Sequence, residues 1–196
     1  MTMQTSKRAE ILRTAEAIFA RKGYGATLDE IAGQVGLLRA SLLHHFPTKL
    51  NLYQAILKGQ LETQLSHFSA QQAAHFDSSS AYFNYLLDRC IDYREIYPEA
   101  LRMGMLHLLL KVDLDDDSIK ETAQHVIDLW QSALDSLNAN GKSNPTPLHE
   151  LWSVIFGVLG NHLVLGELPT PLTASPADRY ALRRRLRLVV WAMLSR

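Results

Sequence analysis

Apolar residues recur every three or four positions along most of the chain, and no segment alternates strictly between apolar and polar residues. This spacing is typical of helices with one buried face, whereas half-buried strands show a period of two. Ile11, Ala15, Ile18 and Phe19, for example, fall on one side of the first predicted helix. The pattern therefore predicts an all-α protein of about nine helices.

Start and stop signals divide this pattern into separate helices. Thr27 and Glu30 have the spacing of a capping box, Gly23 and Gly36 end the first two helices, and Pro47 follows the third. The predicted helices cover about residues 5–22, 27–35, 39–45, 49–71, 78–97, 98–110, 118–138, 147–166 and 176–194.

The second and third predicted helices are short, and Gly36 lies in the turn between them. Such a pair forms a helix-turn-helix unit, whose second helix enters the major groove of DNA. Its apolar residues would pack a three-helix head together: Leu28, Ile31, Ala32, Leu37, Leu42 and Phe46. The remaining faces of the third helix carry candidate DNA-contacting residues: Arg39, Ala40, Ser41, Leu43, His44 and His45. We predict a helix-turn-helix DNA-binding domain in residues 1–50 and a larger helical-bundle body in residues 51–196.

The net charge of the whole chain is zero, but its distribution is uneven. Residues 1–50 hold seven basic and four acidic residues, a net +3, which leaves −3 for the rest of the chain. A basic head on an acidic body favours phosphate contact by one end only.

Several other classes of protein are disfavoured by the sequence. The single cysteine, Cys90, allows no disulfide within the chain, which fits a reducing cytoplasm. The most apolar stretch, residues 151–166, contains Ser153, Asn161 and His162 and is too short for a membrane span. His149 lacks the second histidine of a zinc-protease helix. We therefore expect a cytoplasmic protein that is not an enzyme, with no cofactor, no metal and no membrane partner.

A longer motif in residues 27–53 resembles a known family. It reads T-x3-I-A-x3-G-L-x3-S-L-x2-H-F-P-x-K-x2-L-Y and is similar to the head of the TetR (tetracycline-repressor) family. Two positions depart from that pattern. Leu38 stands where the family often has a helix-capping residue, and Leu43 stands where it usually has a tyrosine.

The resemblance implies roles for residues of the head. Thr27 and Lys49 would contact phosphates, Arg39, Ala40 and Ser41 would face bases, and His44 would lie against the DNA backbone. The candidate DNA-contacting set also contains three further residues, with Leu43 placed to touch a thymine methyl group: Leu43, His45 and Thr48.

The last two predicted helices are candidates for a dimer interface. The helix at 147–166 is apolar on most sides, so a second chain is one way to bury it. The resemblance implies a homodimer that uses both helices. The candidate interface residues are Trp152, Phe156, Leu159, Leu163, Leu182, Leu186, Val189 and Met193. Alternatively, both helices close the core of the single chain. Arg183, Arg184 and Arg187 are interpreted as a solvated face.

The resemblance also implies a small-molecule pocket among the middle helices. The candidate lining residues are Met103, His107, His125, Trp130 and His162. The alternative for the histidines is a core position with satisfied hydrogen bonds.

Together these patterns predict a TetR-type transcriptional regulator, a repressor released from a palindromic operator in double-stranded DNA by a small-molecule effector. Two alternatives stay open at this point. One is a regulator of the same fold that has no effector, and the other is a helical protein-interaction module.

Overall fold

The structure, a computed structural model, describes residues 2–69, 73–110, 116–138, 146–165 and 176–195. Side chains are described in these ranges except at residues 2–6, 108–110, 160–165 and 176–178. The described residues form nine α-helices and no strand, which confirms the predicted all-α class. Among them, no helix is both long and apolar enough to cross a membrane.

The helices follow the predicted boundaries closely. They are α1 (Thr2–Lys22), α2 (Leu28–Gln34), α3 (Arg39–His45), α4 (Lys49–Phe68), α5 (Ser79–Ile96), α6 (Pro98–Leu110), α7 (Asp117–Asn138), α8 (Leu148–Leu165) and α9 (Pro176–Leu194). Helix α1 begins three residues before the earliest predicted start, because Thr5 and Ser6 lie inside the helix instead of capping it. The predicted ends at Gln71 and Gly166 lie outside the described residues.

Two compact units make up the chain. Unit 1 combines residues 1–63 with 99–123, and unit 2 combines residues 64–98 with 124–196. Unit 1 therefore contains α1 to α3, most of α4 and nearly all of α6. The functional division at residue 50 stays a prediction.

The start of α2 shows why the chain turns into a helix at this point. Thr27 has an extended backbone, and its hydroxyl oxygen accepts a hydrogen bond from the backbone N–H of Glu30 at 3.2 Å. The carboxylate of Glu30 accepts a hydrogen bond from Lys22, which is the largest cause of the lowered pKa of Glu30. A hydrogen bond from the backbone N–H of Thr27 lowers the pKa of Glu30 further. The predicted capping box is therefore present, with Lys22 tied to it.

The core of the head lies between α1, α2, α3 and the first half of α4. Ile31, Ala32, Leu42 and Phe46 are buried, as predicted, and Leu37 packs against the same cluster. Gly36 lies in the turn between α2 and α3 with φ +66°, in the left-handed region that disfavours side chains. This turn at Gly36 sets the direction in which α3 leaves α2.

Gly36 provides a stability test with a matched control. Gly36→Ala is expected to lower the free energy of unfolding by about 1–2 kcal/mol, because alanine is strained at this φ. Gly33→Ala, inside α2, is expected to raise it by about 0.5–1 kcal/mol. No atom lies within 4 Å of an added Cβ at either position, so the backbone conformation alone separates the two. Urea unfolding measures both variants, and a Gly36→Ala variant as stable as Gly33→Ala would contradict this account.

Charged side chains join α5 to α9 in unit 2. Arg183 bonds Asp92 at 2.5 Å, and Arg187 bonds Asp88. At one end of the row Arg179 lies 3.3 Å from Glu95, and at the other Trp191 donates to Asn84 at 2.8 Å. These pairs progress in opposite directions along the two helices, as they must for antiparallel neighbours. The interpretation of the arginines as a solvated face is therefore wrong for Arg183 and Arg187, although Arg184 is exposed.

The buried stripe of α9 differs from the predicted one in its second half. Leu182 and Leu186 are buried, but the stripe then continues through Val190 and Leu194, while Val189 is exposed. A fully buried side chain of a single chain cannot reach a partner. The assignment of Leu182, Leu186 and the buried Leu159 to a dimer interface is therefore corrected to a role in the core of unit 2.

Candidate nucleic-acid interface

Helix α3 presents most of its predicted DNA-contacting residues on the outside of the head. Arg39, Ala40 and His44 are exposed, and Ser41 and His45 are half-buried. The inward side is held by Leu42, which is fully buried. The helix therefore has one face in the core and another face open to a partner, as a recognition helix requires.

Arg39 is held by an ion pair in the structure. Its Nη1 lies 3.0 Å from the carboxylate of Asp29, which is in the first turn of α2. Both side chains are mostly exposed, so the pair adds little to stability. Its effect is orientation, because a guanidinium has five N–H donors and the pair engages one of its nitrogen atoms. The rest of the guanidinium remains available for a base edge or a phosphate.

Lys49 is anchored at the first turn of α4. Its ammonium donates a hydrogen bond to the carbonyl oxygen of Tyr24 and lies 4.3 Å from the centroid of the Tyr24 ring. Burial lowers the pKa of Lys49. An ammonium has three donors, so one bond to a carbonyl leaves two that can bind a phosphate.

Thr27 and Thr48 both cap helices, but their hydroxyl groups are used differently. The Thr27 hydroxyl accepts one hydrogen bond within the cap, which leaves its hydrogen for a phosphate oxygen. The Thr48 hydroxyl accepts from the Asn51 N–H at 3.0 Å and donates to the Asn51 side chain at 2.8 Å. A phosphate contact from Thr48 would therefore require Asn51 to turn away.

The two departures from the family motif have visible consequences. Leu38 occupies the N-cap position of α3 with an extended backbone, makes no side-chain cap and is 78% exposed. Leu43 is half-buried and packs against the head core. Packing alone therefore accounts for Leu43, and its contact with a thymine methyl group stays a prediction.

Sequence reasoning missed Asp29 and Tyr24, which contact Arg39 and Lys49, two predicted DNA-contacting cations of the head. Opposite charges in the first turns of α2 and α3 were the available signal for Asp29. The anchor from Tyr24 is a backbone carbonyl, which leaves no trace in the sequence. Arg8 was missed as well, and its guanidinium lies 4.6 Å from the centroid of Phe46 at the end of α3.

The predicted pocket residues are distributed over both units. In unit 1, Met103 is buried and His107 is half-buried, with its Nδ1 lacking a hydrogen-bond partner among the described residues. In unit 2, Trp130 is buried. His125 is exposed on α7, so its assignment to a buried pocket is wrong. The side chains of His162 and of the predicted interface residue Leu163 lie outside the described part.

An exposed helix supported by two others, preceded by a glycine turn and flanked by anchored cations, defines a helix-turn-helix DNA-binding regulator. Residues 11–56 match the family model described as bacterial regulatory proteins, tetR family. Over these residues the chain is similar to the DNA-binding domain of that family, and its relatives are regulators, so it is a DNA-binding transcriptional regulator.

Known proteins of that family resemble this chain over much of its length. The HTH-type transcriptional repressor KstR2 of Mycobacterium tuberculosis is 27% identical, with 58% of this chain and 74% of that protein covered. The HTH-type transcriptional regulator RutR of Escherichia coli is also 27% identical, with 76% and 71% covered. A crystal structure of a tetR-family regulatory protein from Rhodococcus RHA1 has the same fold, with a TM-score of 0.73 at 18% identity, covering 94% of this chain and 95% of that one.

The uncapped start of α3 yields a stability prediction. Leu38→Ser supplies an oxygen that can accept from a free N–H of the first turn, so the free energy of unfolding is expected to exceed that of Leu38→Ala by about 1 kcal/mol. The alanine variant is the control, because it removes the same exposed side chain without adding an acceptor. Chemical unfolding of both proteins decides the matter, and equal stabilities would show that α3 needs no cap.

Proposed function

We propose that this regulator is a cytoplasmic homodimeric repressor that inserts α3 of each head into successive major grooves of a palindromic operator and leaves it when a small-molecule effector binds. The observation that carries the proposal is the outward face of α3, where Arg39 is exposed and oriented by Asp29. Its relatives are transcriptional regulators, so the proposed function contains no catalytic step.

In this proposal the head residues divide into two roles. Arg39, Ala40 and Ser41 meet base edges and set the preferred sequence. Thr27, His44 and Lys49 meet phosphates and position the head without reading sequence. His45 lies on the same helix as His44 and is assigned to the residues that contact phosphates. The ion pair and the carbonyl anchor hold Arg39 and Lys49 near one orientation, which reduces the side-chain entropy lost on binding.

The proposed dimer uses the exposed face of α9. Tyr180, Leu188 and Val189 are three of the seven large apolar side chains that are exposed in the described part of the chain. A groove of about 390 Å³ beside them is lined by Tyr180, Leu188 and Trp191 together with four charged residues, Asp88, Arg183, Arg184 and Arg187. Trp152 and Phe156 on α8 and Met193 on α9 are half-buried and supply further apolar surface. A second copy of the chain can cover such a face by two-fold symmetry.

The proposed release of DNA is supported by packing within unit 1. The ring of Tyr24, which holds Lys49, packs edge-on against Tyr53 at 5.1 Å between ring centroids. The Tyr53 ring in turn lies 6.1 Å from the ring of His107 on α6. Buried Gln60 of α4 donates to Glu16 of α1 at 2.8 Å and contacts Met103 of α6 at 3.5 Å. A shift of α6 would therefore be felt by helices of the head.

Two alanine variants test the DNA-binding roles. Lys49→Ala is expected to weaken every DNA sequence alike and to reduce the slope of log affinity against log salt by about 1. Arg39→Ala is expected to cost about 1–3 kcal/mol at the base it reads and to relax preference there. Selection from random duplex oligonucleotides, followed by fluorescence anisotropy at several salt concentrations, measures both effects. If both variants bound like the parent, or if the parent selected nothing, the proposed interface would be wrong.

Two leucine variants test the proposed dimer. Leu188→Glu places a charge in the proposed interface and is expected to raise the dimer dissociation constant at least about tenfold. Leu38→Glu is the matched control, because Leu38 is equally large and exposed but lies on the head. Sedimentation-velocity ultracentrifugation compares both variants with the parent. A Leu188→Glu protein that associates as strongly as the parent would place the interface elsewhere.

A further inference from the structure

Arg94, near the end of α5 in unit 2, is buried and forms no ion pair within the described part of the chain. Only 7% of the surface of Arg94 is exposed. The Nε and Nη1 atoms are buried and have no hydrogen-bond partner among the described residues. Burial lowers the pKa of Arg94, and the neighbouring Glu95 opposes that effect. A guanidinium stays charged even so, and a buried charge without a counter-ion is costly.

The carboxylates closest to Arg94 in the sequence are committed elsewhere. Glu95 forms an ion pair with Arg179, and Asp92 bonds Arg183 and lies 3.6 Å from Arg89. These groups lie on the face of α5 that α9 covers. The negative end of the α5 dipole is favourable for a cation near Ile96, but it leaves Nε and Nη1 without a hydrogen bond.

Unit 2 contains another buried donor that has no hydrogen-bond acceptor among the described residues. Trp130 of α7 is fully buried, and its indole Nε1 has no hydrogen-bond partner among the described residues. Aromatic rings pack between α7 and α5: Trp130 lies 5.5 Å from Phe68, and Phe68 lies 6.0 Å from Tyr93, which precedes Arg94 in the sequence. Buried donors in native proteins nearly always have acceptors, so the donors of Arg94 and Trp130 require an explanation.

We propose that the effector is a small organic carboxylate whose acid group pairs with Arg94 and whose apolar body lies against the aromatic residues of unit 2. This inference rests on the proposed effector-controlled function and names the chemical class of the effector. A guanidinium binds a carboxylate through two parallel hydrogen bonds, which a neutral or cationic ligand cannot accept in that form. The ligand supplies a hydrogen-bonded counter-ion, which the described residues do not provide.

The test compares carboxylates with neutral and cationic molecules of the same length. Hexanoate, decanoate and tetradecanoate, each below its micelle-forming range, are added to the protein of residues 1–196, and the Tm is followed by intrinsic fluorescence. At least one carboxylate is expected to raise the Tm, whereas decanamide and decylamine leave it unchanged. A flat response to all three carboxylates, or an equal shift with decanamide, would overturn the proposal.

Arg94→Met supplies a second readout that needs no ligand. If Arg94 is kept for an anion, its replacement by an apolar side chain of similar length removes an uncompensated charge. The ligand-free Tm is then expected to rise by at least about 2 °C, and the carboxylate shift to disappear. Arg13→Met, at an exposed position on α1, is the control and is expected to keep the shift. A lower Tm for Arg94→Met, or a full carboxylate shift in it, would assign Arg94 to a structural role.

Operator release separates this inference from the function on which it rests. Fluorescence anisotropy with a selected duplex is repeated in the presence of each ligand. If a carboxylate binds but the duplex is not released, the proposed site at Arg94 stands and the proposed control of DNA binding by an effector is wrong. Release by decanamide instead of a carboxylate would keep effector control and reject the Arg94 site.

Discussion

The recognition surface depends on the burial of helices that have no stability of their own. Helices α2 and α3 are each seven residues long, well below the length at which an isolated helix persists in water. Each exists because its inward side is anchored in the head core, through Ile31 and Ala32 in α2 and Leu42 in α3. The outward face of α3 can therefore be read as a rigid surface only while α1 and α4 supply that core.

The same dependence couples DNA contact to the rest of unit 1. Lys49 is anchored on Tyr24, Tyr24 packs on Tyr53, and Tyr53 faces His107 on α6. Tyr53 is buried, and that burial, with the nearby Tyr24, raises its pKa to about 12, so its phenol stays neutral and packs as an aromatic side chain. The last two links are direct contacts between the rings of side chains with few alternative rotamers. A displacement of α6 would consequently act on the position of Lys49, the cation that is proposed to bind a phosphate.

Most of the fold followed from local signals, and most of the errors arose where neighbouring residues were equivalent by type. The cap at Thr27, the turn at Gly36 and the spacing of apolar residues predicted the helix boundaries. The predicted buried stripe of α9 was wrong in its second half. Val189 and Val190 are adjacent and equally apolar, so spacing alone could not decide which one enters the core. The prediction that His125 lines a pocket was wrong for a related reason. His125 borders an apolar stripe on α7, and only the packed structure shows that it lies on the exposed side.

The charges of α5 separate into ion pairs that join it to α9 and one buried arginine, Arg94, at the proposed ligand site. On the face covered by α9, Asp88 and Asp92 bond arginines spaced one helical turn apart, so the pattern of one helix matches that of the other. Arg94 breaks this local consistency, because it is buried but has no matching carboxylate among the described residues. Natural sequences tend to break their own packing rules at sites that serve a function. The mismatch at Arg94 therefore has more weight as a guide to the proposed ligand than the predicted pocket histidines, since His125 is exposed and His107 is only half-buried.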